Sequence, residues 1–137
     1  FCVERHREAF QDLIANHINM LFCNEHELLS MYGGESLNDA IEIGAQFVDT
    51  LVCTAGAEGA YIANGGEIIH VPANSVNMVD ATGAGDLFAA GFLAGVSQNK
   101  SLEVCGMMGC IAAAEVISSM GARPQTNLQE LFDINKF

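Results

Sequence analysis

Two short apolar runs, separated by sequence with helical spacing, constrain the fold of this chain more than any other feature. Ile18–Cys23 and Asp49–Thr54 have the length of buried strands. Between them, Glu25–Met31 and Ser36–Phe47 have the spacing of helices, and Asp39 follows Ser36 at the distance of a capping box. Strands that alternate with helices predict an α/β layer architecture with a mostly parallel sheet.

A hairpin is predicted near residues 60–71. Asn64-Gly65, a strong turn signal, lies between the strand-like segments Ala60–Ala63 and Glu67–Val71. Such a turn makes the two segments antiparallel neighbours at one side of the sheet. Ser75–Val79 is predicted to add one more strand.

The remaining apolar segments have helical periodicity. In the first of them, Val3, Phe10, Leu13 and Ile14 are expected to share one buried side. The last part of the chain is rich in alanine and glycine, which permits helices to pack closely. The predicted helices in these regions are residues 3–16, 87–96, 102–120 and 128–132.

The charge balance excludes several classes of partner. The chain of 137 residues carries 17 acidic and 5 basic residues, a formal net charge of −12. No basic stripe is available for a nucleic-acid backbone, and an anionic membrane surface would repel the chain. A phosphorylated ligand would therefore be held by backbone amides, a helix dipole or a metal ion rather than by lysines.

The cysteines and the apolar segments indicate a cytoplasmic chain. Five cysteines without a C-x-x-C pattern predict reduced thiols, neither a disulfide framework nor a zinc site. The uncharged stretch Leu87–Asn99 is too short for a membrane helix, which needs about 20 residues. The sequence starts at Phe1, so we expect it to be a piece of a longer protein.

The segment Asp80–Asp86 carries the clearest chemical signal. It reads Asp-Ala-Thr-Gly-Ala-Gly-Asp and leads directly into a predicted helix. Gly83, Ala84 and Gly85 leave backbone N–H groups open at the positive end of the helix dipole, an arrangement suited to an anion. Asp86 in the first turn could accept a proton from an attacking hydroxyl, so the segment favours phosphoryl transfer. The plainer alternative is a glycine turn with a capping carboxylate.

This segment resembles the C-terminal signature of the ribokinase-like carbohydrate and nucleoside kinases, the pfkB family. The departure is Ala81, where the family usually has Thr, Ser, Pro or Val. The resemblance implies a three-layer ribokinase-like fold, with Asp86 as the catalytic base and Gly83–Gly85 as the anion hole. It also implies ATP as the phosphoryl donor and a sugar or nucleoside as the acceptor. Within the family, the chain is most similar to the adenosine-kinase-like and sugar-kinase branches.

Two further segments resemble family motifs and supply candidate ligands of the nucleotide and of magnesium. Asn24-Glu-His-Glu27 is similar to an Asn-x-x-Glu motif, whose two end residues help to place Mg²⁺ and the phosphates, Mg²⁺ through water. Thr54-Ala-Gly56-Ala-Glu-Gly59 is similar to a Thr-x-Gly-x-x-Gly turn that receives the nucleotide. Glu58 departs from this motif, because a basic residue is common there.

A third segment, Gly121-Ala-Arg-Pro, is similar to the closing loop of the family. Together with Asp80 and Thr82, Gly121 could line the monovalent-cation site, for K⁺, that some members have.

The resemblance covers nearly the whole chain but only the C-terminal half of a family member. Residues 1–137 are therefore expected to be the nucleotide-binding and catalytic portion, without the N-terminal half and the lid. Alone, this portion is expected to self-associate and to be inactive. The alternative that stays open is a non-catalytic nucleotide-binding fragment or regulatory module.

Overall fold

The computed structural model describes residues 2–137, which form seven α-helices, four β-strands and one 3₁₀ helix. In chain order, these elements are α1 (Cys2–Arg5), α2 (Arg7–His17), β1 (Met20–Asn24), α3 (Glu25–Tyr32), α4 (Leu37–Gly44), β2 (Thr50–Thr54), the 3₁₀ helix Gly56–Glu58, β3 (Ala60–Asn64), β4 (Glu67–Val71), α5 (Ala84–Ser97), α6 (Leu102–Ile117) and α7 (Leu128–Ile134).

The chain divides into two compact units. The first comprises the residues up to Ala55 together with Tyr61–Ile69. The second comprises Gly56–Ala60 and His70–Phe137. No helix within residues 2–137 combines the length and the apolar character that crossing a membrane requires.

The four strands form one sheet in the order β1-β2-β3-β4. The first two strands pair in parallel, with Cys23 opposite Cys53 and Asn24 opposite Thr54. Parallel neighbours need a long crossover, and α3 and α4 supply it. The predicted parallel pairing and flanking helices are confirmed, and Asn24 and Thr54 end their strands at the same edge of the sheet.

The predicted hairpin is confirmed, but its turn lies one residue later than expected. Gly65 and Gly66 form the turn, and both have positive φ angles, +58° and +86°. A two-residue type I′ turn requires this conformation at both central positions, and glycine adopts it without strain. Asn64 instead ends β3, and its Nδ2 donates to the carbonyl oxygen of Asp49 at 2.7 Å and to Oγ1 of Thr50 at 3.0 Å.

The core of the first unit lies between helices α3 and α4 and strand β2. Leu28, Ile41 and Leu51 are fully buried there. The predicted capping box of α4 is confirmed: the Asp39 N–H donates to Ser36 Oγ, and Asp39 Oδ2 accepts from the Ser36 N–H. Both backbone donors at the start of α4 are thereby satisfied.

In the second unit, helices α5 and α6 pack against each other through glycines. A Cβ at Gly91 would lie 2.6 Å from the carbonyl oxygen of Met108, and one at Gly95 would lie 2.9 Å from Sγ of Cys105. Only residues without a side chain allow the two backbones to approach this closely. The close helix packing predicted from the alanine and glycine content is confirmed.

Several sequence expectations are wrong in detail. The helix expected over residues 3–16 is two helices, because His6 leaves helical geometry at φ −128° and ψ 31°. Leu13 is 46% exposed, while Val3 and Ile14 are buried. The helix expected to reach Phe47 ends at Gly44.

The last two helices also differ in their ends. The helix expected to reach Met120 stops at Ile117, and α7 continues to Ile134.

Ser75–Val79 is not a strand. Among the residues that the structure describes, this segment pairs with none of the four strands, and Val76, Met78 and Val79 are 41%, 64% and 52% exposed. The N–H of Val79 donates to the carbonyl oxygen of Ile117 at 2.8 Å instead. Strand-like residues were therefore insufficient without a neighbouring strand.

Candidate active site

The loop Asp80–Asp86 ends where α5 begins. Gly83 occupies the N-cap position in the left-handed conformation, with φ +84°. A Cβ at Gly83 would lie only 2.9 Å from Cβ of Ala122. Glycine is therefore required here twice, for the backbone angle and for the close approach of Ala122.

The first turn of α5 presents backbone N–H groups without protein acceptors. The N–H of Ala84 makes a 3.2 Å bond to the Ala81 carbonyl oxygen. The N–H groups of Gly85 and Asp86 donate to no acceptor within residues 2–137. A Cβ at Gly85 would meet nothing within 4 Å, so the space in front of the turn is open. Free N–H groups at the positive end of a helix dipole bind anions.

Asp86 lies in this first turn, next to the free N–H groups. The side chain is exposed, and its carboxylate accepts no hydrogen bond from any described residue. The carboxylate is therefore available to accept a proton from a hydroxyl group held beside the anion.

Asp80 is fixed by three donors. Its Oδ1 accepts from Oγ1 of Thr82 at 2.7 Å and from the Thr82 N–H at 2.9 Å. Its Oδ2 accepts from the N–H of Gly121 at 2.9 Å. The Thr82 hydroxyl, followed by the two backbone donors, holds the pKa of this carboxyl below its ordinary value, because each bond favours the charged form.

The structure thus brings together Asp80, Thr82 and Gly121, the three residues considered for a monovalent cation. Their contacts are hydrogen bonds that satisfy the Asp80 carboxylate. No group of three or more His, Cys, Asp or Glu side chains within the described residues is arranged to hold a metal ion.

In the first unit, Asn24 and Glu27 form a capping box at the start of α3. Asn24 Oδ1 accepts from the Glu27 N–H, and Glu27 Oε2 accepts from the Asn24 N–H, both at 2.9 Å. These bonds fix both side chains at the edge of the sheet. Oε1 of Glu27 takes no part in the box, and a carboxylate oxygen of this kind suits Mg²⁺ or its bound water.

Thr54 ends β2 beside Asn24, its register partner in β1. Its Oγ1 donates to the carbonyl oxygen of Cys23 at 3.5 Å. Asn24, Glu27 and Thr54 therefore form one polar group at the carboxyl ends of two parallel strands, where α/β folds commonly bind ligands.

Gly56 and Gly59 both have backbone angles that favour glycine. Their φ angles are +53° and +101°. A Cβ at Gly59 would also lie 2.6 Å from the backbone nitrogen of Ala73. The short helix Gly56–Glu58 and the residues after it consequently need the glycine spacing that the sequence pattern has.

The sequence interpretation missed the role of Glu115. Its Oε1 accepts from the N–H groups of Gln125 and Thr126, at 2.8 and 2.7 Å. Glu103 and Glu115 are the only charged residues in α6. A carboxylate that follows the long uncharged run from Val104 to Ala114 is the signal that could have indicated a specific partner.

Comparison with known proteins identifies the family. Residues 3–128 match the family described as pfkB family carbohydrate kinase. A nucleoside kinase of Methanocaldococcus jannaschii is 36% identical over 116 residues, which are 84% of this chain and 37% of the other.

Solved structures agree with this match. A probable sugar kinase from Rhizobium etli is 40% identical with a TM-score of 0.95, over 99% of this chain and 42% of the other. An adenosine kinase from Sinorhizobium meliloti is 36% identical with a TM-score of 0.95, over 98% and 42%. A ribokinase of Arabidopsis thaliana, complexed with ribose and ATP, is 26% identical with a TM-score of 0.79, over 93% and 43%.

The chain spans about 40% of the length of each of these relatives. Within that span, the fold is the ribokinase-like α/β fold. The family match begins in α1 and reaches the first residue of α7, so it includes every element that carries a candidate site residue. The chain therefore belongs to the pfkB family of carbohydrate kinases.

Proposed function

We propose that this chain is the C-terminal, nucleotide-binding and catalytic portion of an enzyme that transfers the γ-phosphoryl group of ATP to a hydroxyl group of a sugar or nucleoside. The observation that carries the proposal is the start of α5. There, the unpaired N–H groups of Gly85 and Asp86 lie next to the unpaired Asp86 carboxylate. An anion hole with an adjacent base is what phosphoryl transfer to an alcohol requires.

In the proposed reaction, the acceptor hydroxyl oxygen forms a bond to the γ-phosphorus while the bond from that phosphorus to the ADP oxygen breaks. The hydroxyl proton passes to a carboxylate oxygen of Asp86. The turn of Gly83, Ala84 and Gly85 stabilises the charge on the transferring group through the helix dipole and the unpaired N–H groups of Gly85 and Asp86. Because Asp80 holds Gly121, and Ala122 lies against Gly83, the loop is fixed before substrates bind.

The nucleotide is proposed to bind to Thr54, Gly56, Gly59 and Asn24. The capping box orients Asn24 and Glu27, and Glu27 Oε1 would hold Mg²⁺ through a water molecule. Bound Mg²⁺ would neutralise charge on the phosphates. A site for K⁺ at Asp80, Thr82 and Gly121 is part of the proposal, because the three residues lie together.

The acceptor class follows from the relatives, which are named as nucleoside, adenosine and sugar kinases and a ribokinase. We propose a reducing compartment, the cytoplasm, since all five cysteines are free thiols and four are buried.

We also propose that the isolated 137 residues self-associate, because the exposed side chains of Met78 and Met120 are apolar. Sedimentation equilibrium would test this; a strictly monomeric chain would contradict it.

The test of the proposed function is the Asp86→Asn variant of the complete protein that contains this chain. The amide keeps the shape but cannot take the proton, so we expect kcat to fall by roughly 10²–10⁴ while ATP binding is retained. Activity is measured with a coupled assay for ADP over a panel of sugars and nucleosides. The control is Glu130→Gln, an exposed carboxylate on α7, which should leave kcat unchanged.

Two outcomes would contradict the proposal. Wild-type kcat in Asp86→Asn would exclude Asp86 as the base. ATP binding by the wild-type protein without transfer to any acceptor of the panel would favour the alternative, a nucleotide-binding module without turnover.

A further inference from the structure

Glu115 connects helix α6 to the loop that follows it. Two consecutive backbone N–H groups, those of Gln125 and Thr126, donate to its Oε1 at 2.8 and 2.7 Å. Its second oxygen, Oε2, is buried and has no hydrogen-bond partner. A carboxylate oxygen buried without a donor lowers stability, so this residue is not the choice that stability alone would favour.

The same loop contacts the proposed anion hole at its other end. Gly121 donates its N–H to Oδ2 of Asp80 at 2.9 Å. Ala122 lies so close to Gly83 that a Cβ at Gly83 would be 2.9 Å from the Cβ of Ala122. The loop is therefore held at Gln125 and Thr126 by Glu115, and its residues 121 and 122 in turn hold Asp80 and Gly83.

We propose that Glu115 is a positioning residue of the phosphoryl-transfer site, acting through residues 121–126 on Asp80 and Gly83. This inference rests on the proposed function, because it assumes that the start of α5 binds the transferring group. A charged acceptor makes stronger hydrogen bonds than a neutral one, which suits a single side chain that has to hold two N–H groups.

Loss of Glu115 should weaken binding of the transition state more than binding of ATP. Without Glu115, the N–H groups of Gln125 and Thr126 lose their acceptor, and the loop gains freedom. Gly121 then no longer holds Asp80 in one orientation, and the N–H groups at Gly85 and Asp86 are aimed less well. The transferring group takes up its in-line arrangement, with charge spread over its equatorial oxygens, only in the transition state, so misaimed donors affect kcat more than the KM for ATP.

The experiment compares Glu115→Ala, Glu115→Asp and Glu115→Gln in the complete protein that contains this chain. Glu115→Ala removes the acceptor, and we expect kcat to fall by roughly 10²-fold with little change in the KM for ATP. Glu115→Asp keeps the charge but is shorter by one methylene group, so a smaller fall in kcat is expected, and this variant serves if the alanine variant does not fold. Glu115→Gln keeps an oxygen acceptor and should retain most of kcat.

The control is Glu103→Ala, which removes an exposed carboxylate from the same helix and should leave kcat unchanged. Amide hydrogen exchange supplies a readout that is independent of activity. In Glu115→Ala, we expect faster exchange at Gln125 and Thr126, and also at Gly121, whose donor bond to Asp80 is several residues away.

Either of two results would overturn the inference. One is wild-type kcat in Glu115→Ala together with faster exchange at Gln125 and Thr126. The other is unchanged protection of the Gly121 amide in both Glu115→Ala and Glu115→Asp. If the wild-type protein transfers no phosphoryl group, the proposed function fails, and exchange at Gly121 still decides whether Glu115 holds the loop against Asp80.

Discussion

The backbone N–H of Gly121 donates a 2.9 Å hydrogen bond to Oδ2 of Asp80, across a separation of 41 residues. Asp80 begins the loop that leads into α5, and Gly121 follows α6. This bond therefore joins the two segments that flank the α5–α6 pair. The orientation of Asp80 depends on a loop that local sequence gives no reason to place beside it.

The first prediction concerns the charge on Asp80. Replacing Thr82 by Val removes the hydroxyl donor, the largest cause of the lowered pKa, so the pKa of Asp80 should rise toward its ordinary value of 3.8. A ¹³C NMR titration of the Asp80 carboxyl carbon measures the change. Thr126→Val is the control, because the hydroxyl of Thr126 has no hydrogen bond within residues 2–137.

This change also has a pH signature in stability. A carboxyl whose pKa is lower in the folded than in the unfolded state stabilises the fold above the unfolded value, and loses that contribution as the pH falls through the folded value. The difference in unfolding free energy between wild type and Thr82→Val should therefore be largest near neutral pH and shrink below pH 3.8. A difference that grows in acid would contradict the assigned hydrogen bonds.

The second prediction separates stability from activity in the α5 turn. A Cβ at Gly85 meets nothing within 4 Å, and Gly85 does not have a positive φ. Gly85→Ala should therefore keep or raise stability, by up to about 1 kcal/mol. Phosphoryl transfer should fall, because the methyl group occupies space that an oxygen of the transferring group needs.

Gly83→Ala is the matched variant. It forces a non-glycine residue to φ +84° and brings its Cβ within 2.9 Å of Cβ of Ala122, so it should lower the unfolding free energy. Urea unfolding and a coupled kinase assay measure the two effects. Full kinase activity in Gly85→Ala would exclude this turn as the anion hole.

Much of the fold was predictable because its signals are local. The apolar runs of β1 and β2, the capping box of Ser36 and Asp39, and the turn signal of the hairpin each depend on residues close together in sequence. In the site, the glycine spacing from Gly83 to Gly85 predicted open N–H groups at a helix start. The structure has such groups at Gly85 and Asp86, whereas the Ala84 N–H is bonded to the Ala81 carbonyl oxygen.

What could not be predicted depends on distant partners. Ser75–Val79 has strand-like residues, but it has no neighbouring strand among the described residues. The contacts of Glu115 cross 10 and 11 residues, and no periodicity specifies them. The contact of Gly121 with Asp80, across 41 residues, was expected only from the family resemblance. The turn of the hairpin moved by one residue because Asn64 makes side-chain bonds to Asp49 and Thr50.

The third prediction tests the close contact of α5 and α6. Gly91→Ala would place a methyl group 2.6 Å from the carbonyl oxygen of Met108, so the helices must separate. Overpacking of this kind costs about 1–3 kcal/mol of unfolding free energy, which urea unfolding measures. Ala90→Ser, at the exposed neighbouring position, should change stability little. Equal stability of the two variants would contradict the close packing.

The last prediction concerns the cysteine thiols. Cys23 and Cys53 face each other across β1 and β2, and both are buried. The hydrogen bond to Cys53, followed by burial, raises the pKa of Cys23 far above its usual range. Burial raises the pKa of Cys110 to about 11. Cys2 is exposed.

Because the thiolate is the reactive form, iodoacetamide should modify Cys2 in the folded protein and spare the buried cysteines. For Cys110, a pKa of about 11 in place of 9.0 lowers the thiolate fraction near pH 8 by a factor of roughly 100. Mass spectrometry of labelled peptides, before and after unfolding in urea, measures the modification of each site. Labelling of Cys110 in the folded protein as fast as that of Cys2 would show that the surroundings of Cys110 on α6 are open to solvent.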